Sequence, residues 1–139
     1  MAAFELIDFP LRRSRHSLPG MSDIASAEAE LNRMILSGQA MEAFEKFYAE
    51  DCIMQENTDP PCVGKAANRQ REIEFFGNVQ EFHGMTMGGV AVGDGVSFSE
   101  WEMEVTFKGG VRIKMTQVAR RKWRDGLVVD ERFYYKPAY

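Results

Sequence analysis

The sequence is poor in the features that define several large functional classes. It has only two cysteines and two histidines among 139 residues. Cys52 and Cys62 form no C-x-x-C spacing, and no H-E-x-x-H occurs. A zinc centre and a disulfide framework are thereby excluded, and both cysteines read as reduced thiols of a cytoplasmic protein. No apolar run approaches the ~18 residues needed for a membrane span. Basic residues are the minority, 17 Lys and Arg against 21 Asp and Glu, so no field draws the chain toward nucleic acid or an anionic membrane. The glycine-rich "GGVAVGDG" lacks the G-x-x-x-x-G-K-[ST] spacing of a phosphate loop and has no helix after it. No serine elbow is present, and neither a metal nor a cofactor is expected.

What is present is ordinary globular composition, 45% hydrophobic and 27% charged, at a length that suits one domain with its own core. Residues 1–20 read as an extension. They place acids among apolar residues and arginines after them, the reverse of a secretory signal, and Pro10, Pro19 and Gly20 punctuate them. The domain itself is expected over residues 21–139. Ser22 or Asp23 can cap a first helix with Ile24, Leu31 and Ile35 near one face, ended by Ser37-Gly38. A second helix over residues 39–49 buries Phe44, Phe47 and Tyr48 against the first. Residues 52–57 read as a short strand stopped by Asp59-Pro60-Pro61. From Gly64 a third helix carries an apolar stripe of Ala66, Ile73 and Phe76, with Gly77 at its end.

The remainder looks β. Four strand-length runs are separated by Asp-Gly or Gly-Gly signals that mark antiparallel hairpins. Helices first and a meander afterwards define an α+β domain. In "EWEMEVTF" Trp101, Met103, Val105 and Phe107 share one face, with Glu100, Glu102 and Glu104 on the other. A loop of Lys108-Gly109-Gly110 sets Phe107 opposite Val111, Glu104 opposite Lys114, and Gln117 opposite Trp101. The charged face is then outside, and Gln117 lies on the covered one. For the last hairpin, a three-residue loop Arg124-Asp125-Gly126 puts Val129, Glu131, Phe133 and Tyr135 on the covered side. A two-residue loop puts Asp130, Arg132 and Tyr134 there.

Three elements of this order carry a family resemblance: the passage "SGQAMEAFEKFYAEDCIMQEN", the Gly64-Lys65-Ala66 helix opening, and the closing hairpin "WRDGLVVDERFYY". Over residues 22–137 the chain resembles the nuclear transport factor 2-like superfamily, in particular its SnoaL-like branch. The resemblance implies a cone-shaped curved antiparallel sheet with three N-terminal helices packed on its concave face. That superfamily includes ketosteroid isomerases, polyketide cyclases, limonene epoxide hydrolases, scytalone dehydratases and non-catalytic binding or dimerisation modules, so fold leaves function open. In the isomerases a catalytic aspartate lies eight residues after a tyrosine or phenylalanine in a "YADD"-like motif. Here Tyr48 opens "YAED", and Glu56 occupies the matching place. The isomerases' oxyanion tyrosine and protonated aspartate fall on Leu31 and near Val118 or Ala119, so both electrophilic groups are missing. SnoaL-type cyclases place an Asp-His pair in the last strand, where Glu131 and Phe133 stand. The Asp-Arg-Asp set of the epoxide hydrolases has no matching positions.

The expected function is therefore a pocket protein acting without a cofactor on a small apolar molecule, as an isomerase, cyclase, lyase or hydrolase. Glu56 is the expected general base and Glu131 a second acid-base group. Met54, Asn68, Phe76, Trp101, Met103, Gln117, Phe133 and Tyr135 are the expected lining. The alternative is a non-catalytic small-ligand-binding or dimerisation module of the same fold. In that case Glu56 is a solvated glutamate, and Glu131 merely pairs with Arg121 or Arg132. A homodimer through the outer sheet face is expected on either reading. His83 is a candidate proton shuttle or a strand histidine, and Met85, Met87, Met103 and Met115 are read as core filling.

Overall fold

The computed structural model describes residues 21–137, so the expected N-terminal extension lies outside the described residues. The order is α1 (Met21–Leu36), α2 (Ala40–Phe47), β1 (Tyr48–Glu56), β2 (Cys62–Val63) and α3 (Lys65–Gly77). The meander follows as β3 (Val79–Gly93), β4 (Val96–Phe107), β5 (Arg112–Arg124) and β6 (Leu127–Tyr135). One six-stranded sheet runs in the order β2-β1-β6-β5-β4-β3. All neighbours are antiparallel except β1 and β6, which pair parallel. The fold is α+β, with three helices on an unclosed, curved sheet. Three bulges in β3 supply part of its curvature, since an extra residue on one strand bends and twists the ladder.

Where β1 begins differs from the sequence reading. The second helix stops at Phe47, and Tyr48 already has extended dihedrals (φ −101°, ψ 133°). Pairing of Tyr48 with Val128 draws the chain into the sheet four residues before Cys52. A partner distant in sequence thus overrides local helical propensity. The apolar stripe assigned to α3 is also corrected. Ala66 is exposed, as are Ile73 and Phe76. The inward face carries Lys65 and Asn68, both buried, with half-buried Glu72 and Phe75. A helix that turns polar groups inward breaks the patterning rule, and such breaks concentrate at functional sites.

The expected register of the β4–β5 hairpin is present, with Glu104 opposite Lys114 and Trp101 opposite Gln117. The β5–β6 turn is shorter than the three-residue loop expected. It is the two-residue Asp125-Gly126, both at positive φ (52° and 77°), as a type I′ turn requires. Two residues alone would have turned Asp130 and Arg132 inward. A bulge prevents this: Trp123 pairs with Val128 and Lys122 with Asp130, leaving Val129 unpaired. The extra residue reverses the alternation, so Val128 and Glu131 are both buried. Val129, expected on the covered side, is only half-buried.

The core gathers where α1 and α2 close over one end of the sheet, around Leu31, Met34, Phe44, Phe47, Cys52, Trp123 and Val128. Farther along, α3 meets β4 through the edge-to-face pair Phe75–Phe107. Trp101, Met103 and Met115 of β4 and β5 face a cavity.

Candidate functional site

The cavity has a volume of about 1000 Å³ and is enclosed by α1, α2 and α3 on one side and the concave sheet face on the other. Its walls are mostly apolar and aromatic, the usual character of small-molecule sites. Met54, Asn68, Phe76, Trp101, Met103, Gln117 and Phe133 all line it, as do Glu56 and Glu131, whereas Tyr135 lies outside the lining. Met85 and Met115 are wall residues too. His83 is away from it on β3, its Nε2 2.7 Å from Thr106 Oγ1.

A buried polar network occupies one end. Glu131 is 1% exposed, and its Oε2 accepts hydrogen bonds from the Tyr48 hydroxyl and from Arg121 Nε (2.6 Å). Arg121, 2% exposed, also donates from one terminal nitrogen to Glu28 Oε1 (2.9 Å) and Asn32 Oδ1 (2.8 Å). Asn32 donates to Glu28 Oε1 (3.1 Å) and Ser97 to Glu28 Oε2 (2.8 Å). Trp123 Nε1 donates to Ser97 in turn (2.8 Å). Burial of Arg121 opposes its charge, but Tyr48, Glu131 and Glu28 around it leave the guanidinium more firmly protonated than usual. Burial and the charge of Glu131 push the Tyr48 hydroxyl well up, so it stays a donor.

Two side-chain oxygens of the lining residues have no partner. Glu131 Oε1 and Asn68 Oδ1 are both buried and accept no hydrogen bond. The Asn68 amide is held one way round, because its nitrogen donates to the carbonyls of Gly64 (2.8 Å), Cys62 (3.0 Å) and Cys52 (3.4 Å). Its oxygen therefore points away from those carbonyls. An unmade hydrogen bond at a buried acceptor costs roughly 1–3 kcal/mol.

Glu72 of α3 also lines the cavity. Burial, with the negative charges of Glu131 and Glu56 nearby, pushes its carboxyl up to about 7. Glu56, the expected general base, is not enclosed. It stands at the rim with its side chain 43% exposed, and Arg71 lies 3.7 Å away. Tyr135 is pushed up to about 12 by burial and by Glu56. Arg69, in the second turn of α3, pairs with Glu45 of α2.

Tyr48, Glu72, Arg121, Glu28 and Asn32 were not among the site residues expected from sequence. For two of them a signal existed. Glu28 shares the helical face of Ile24, Leu31 and Ile35 by i, i+4, i+7 spacing, and Arg121 has the same strand parity as Ala119 and Trp123.

This architecture is that of a known family. The SnoaL-like domain family matches residues 24–135, and the chain belongs to that family. Among solved structures, it is similar to a Mesorhizobium loti protein provisionally described as a SnoaL-like polyketide cyclase. That match has 28% identity and a TM-score of 0.75, over 81% of this chain and 98% of that one. It is also similar to a protein from Jannaschia sp. CCS1 with the same description (12% identity, TM-score 0.72, 85% and 88% covered). A third, an epoxide hydrolase of the limonene epoxide hydrolase type from M. tuberculosis, matches at 15% identity and TM-score 0.67, with 85% and 86% covered. The last two likenesses are of fold alone. No sequence among the curated proteins matches this chain. Among the described residues, no helix is long and apolar enough to cross a membrane.

Proposed function

We propose that the chain binds a small, largely apolar molecule in this cavity and moves a proton on it without a cofactor. The observation that carries the reading is Glu72, a cavity carboxyl brought to about 7 beside Glu131. A general acid-base group works best with its pKa near the working pH, because it is then available in either form. Glu72 is the more buried of the two, since Glu56 stands at the rim with Arg71 3.7 Å away. Glu56 is the second candidate, for the part of a substrate that reaches the mouth. Glu131, anchored by Tyr48 and Arg121, presents its free oxygen as a fixed acceptor. Isomerisation, cyclisation with elimination, and epoxide opening all begin with a proton transfer or an activated water, and the family contains enzymes of each kind.

One observation favours the alternative, a binding module without chemistry. The Tyr48 and Arg121 donors are engaged by Glu131, Glu28 and Asn32, and Trp101 Nε1 donates to Ser99. Gln117, one of the side-chain amides of the lining, is a modest donor for a developing oxyanion. A panel of enolisable ketones and epoxides incubated in deuterium oxide decides between the two. Deuterium incorporation or ring opening that is lost in Glu72→Gln supports proton transfer. Binding with neither supports the module.

A further inference from the structure

The charge at the polar end of the cavity does not balance. Glu28 and Glu131 are both 1% exposed and share one buried guanidinium, that of Arg121. Lys65, the other buried cation among the described residues, points instead to Glu45 and Glu50. Three carboxyl groups, those of Glu28, Glu131 and Glu72, thus meet one buried guanidinium, and Arg71 stands at the rim beside Glu56. Buried charges are retained when something pairs with them.

The hydrogen bonding has the same gap. Glu131 lies opposite Met54 in the β1–β6 pairing, and Asn68 is tied to the carbonyl of Cys52, two residues before Met54. Glu131 and Asn68, whose Oε1 and Oδ1 are unpartnered, both line the cavity. Both are acceptors, so what is missing there is a donor. A hydroxyl would fill the hydrogen-bonding gap and leave the charge. A carboxylate would worsen both. Among the described residues no three His, Cys, Asp or Glu side chains are grouped to hold a metal ion. A protonated amine supplies donors and charge together, while Met54, Phe76, Trp101, Met103 and Phe133 offer walls for an apolar body.

We propose that the molecule bound here is a small apolar amine in its ammonium form, directed at Glu131 Oε1 with Asn68 Oδ1 as a second acceptor. This specifies the ligand class for the cavity and rests on its being a binding pocket. It carries a pH dependence. Facing Glu72 are Glu131 from β6, Tyr48 and Glu56 from β1, and Arg71 on its own helix, while Arg121 from β5 lines the same cavity. As Glu72 loses its proton around neutrality the cavity becomes more negative, so the ammonium binds better as pH rises.

The test is titration of the full chain with 1-naphthylmethylamine, 1-naphthalenemethanol and 1-naphthoate, at about pH 6 and about pH 8. Calorimetry and the Trp101 indole NMR signal report binding, and the amine is protonated at both values. The amine is expected to bind at least about tenfold more tightly than the alcohol at the higher pH, a difference of ~1.4 kcal/mol. It should weaken severalfold at the lower pH, whereas the alcohol should not, and the naphthoate should not bind. Glu131→Gln should abolish the preference for the amine, and Glu72→Gln should keep it while removing the pH dependence. An alcohol that binds as well as the amine, or a preferred naphthoate, overturns the proposal and leaves the pocket intact. Failure of all three to bind overturns the pocket reading with it. The comparison of ligands on the unaltered protein stands even if Glu131→Gln does not fold.

Discussion

Replacing Glu72 with Gln removes a carboxyl that the folded state prefers protonated, and the effect on stability must depend on pH. In the native protein this group titrates at about 7 rather than the ordinary 4.5. Between those values the folded state binds a proton that the unfolded chain has released, so unfolding free energy falls as pH rises through that window. At ~1.4 kcal/mol per tenfold change in proton affinity, the displacement amounts to about 3 kcal/mol at most. Glu72 is half-buried rather than sealed, so solvent screening brings the expected effect to roughly 1–2 kcal/mol. Glutamine has nearly the same shape and no charge. Urea unfolding of Glu72→Gln should therefore match wild type near pH 4, where both side chains are neutral, and exceed it by roughly that amount near pH 8. A stability difference that does not change with pH, or a Glu72 carboxyl carbon that titrates by NMR near 4.5, would refute the account of this site.

Other predictions follow from the buried network and the thiols. Arg121→Met leaves Glu28 and Glu131 buried without their cation and should destabilise the fold by about 3–5 kcal/mol. Replacing both Arg121 and Glu131 with neutral residues should cost less than Arg121→Met alone, and chemical denaturation of the two variants measures the difference. Tyr48→Phe removes a single hydrogen bond to Glu131 Oε2; a loss of about 1–3 kcal/mol with an unchanged far-ultraviolet spectrum is expected. Burial pushes the Cys52 thiol up to about 11, and Cys62 is more accessible. A thiol reagent near pH 8 should accordingly modify Cys62 and spare Cys52, as peptide mapping will show.

The network also bears on how the fold is specified. Seven side chains from α1, β1, β4, β5 and β6 meet on one connected set of hydrogen bonds: Glu28, Asn32, Tyr48, Ser97, Arg121, Trp123 and Glu131. A slip of one residue in β6 would carry Glu131 out and leave Arg121 buried with Glu28 alone. The electrostatics and the Val129 bulge therefore agree on a single register for the last hairpin.

Much of the architecture was legible along the chain. The alternation of β4 and β5, the Gly-Gly and Asp-Gly punctuation, and the first helix with its Ser37-Gly38 stop all lie where local pattern placed them. These are short-range signals, each decided by a few neighbouring residues and a turn. The start of β1 was not legible, since Tyr48 becomes extended only because Val128 is beside it. Nor was the inward face of α3. Its apolar residues form a stripe on paper, yet Lys65 and Asn68 are the ones buried, held by the carbonyls of Glu45 and of Cys52, Cys62 and Gly64.

The same division runs through the site. Sequence by itself determined the family, the helix-then-meander order, and a β4–β5 face that carries Trp101, Met103 and Gln117, because periodicity and turn chemistry are local. Tertiary structure alone decided that Glu56 stands at the rim beside Arg71, that Glu72 is the carboxyl held near neutrality, and that Glu28 shares Arg121 with Glu131. The physical reason is that desolvation and charge pairing depend on which groups meet across the cavity. Glu28 and Arg121 stand 93 residues apart in the chain, and only folding brings them within hydrogen-bonding distance.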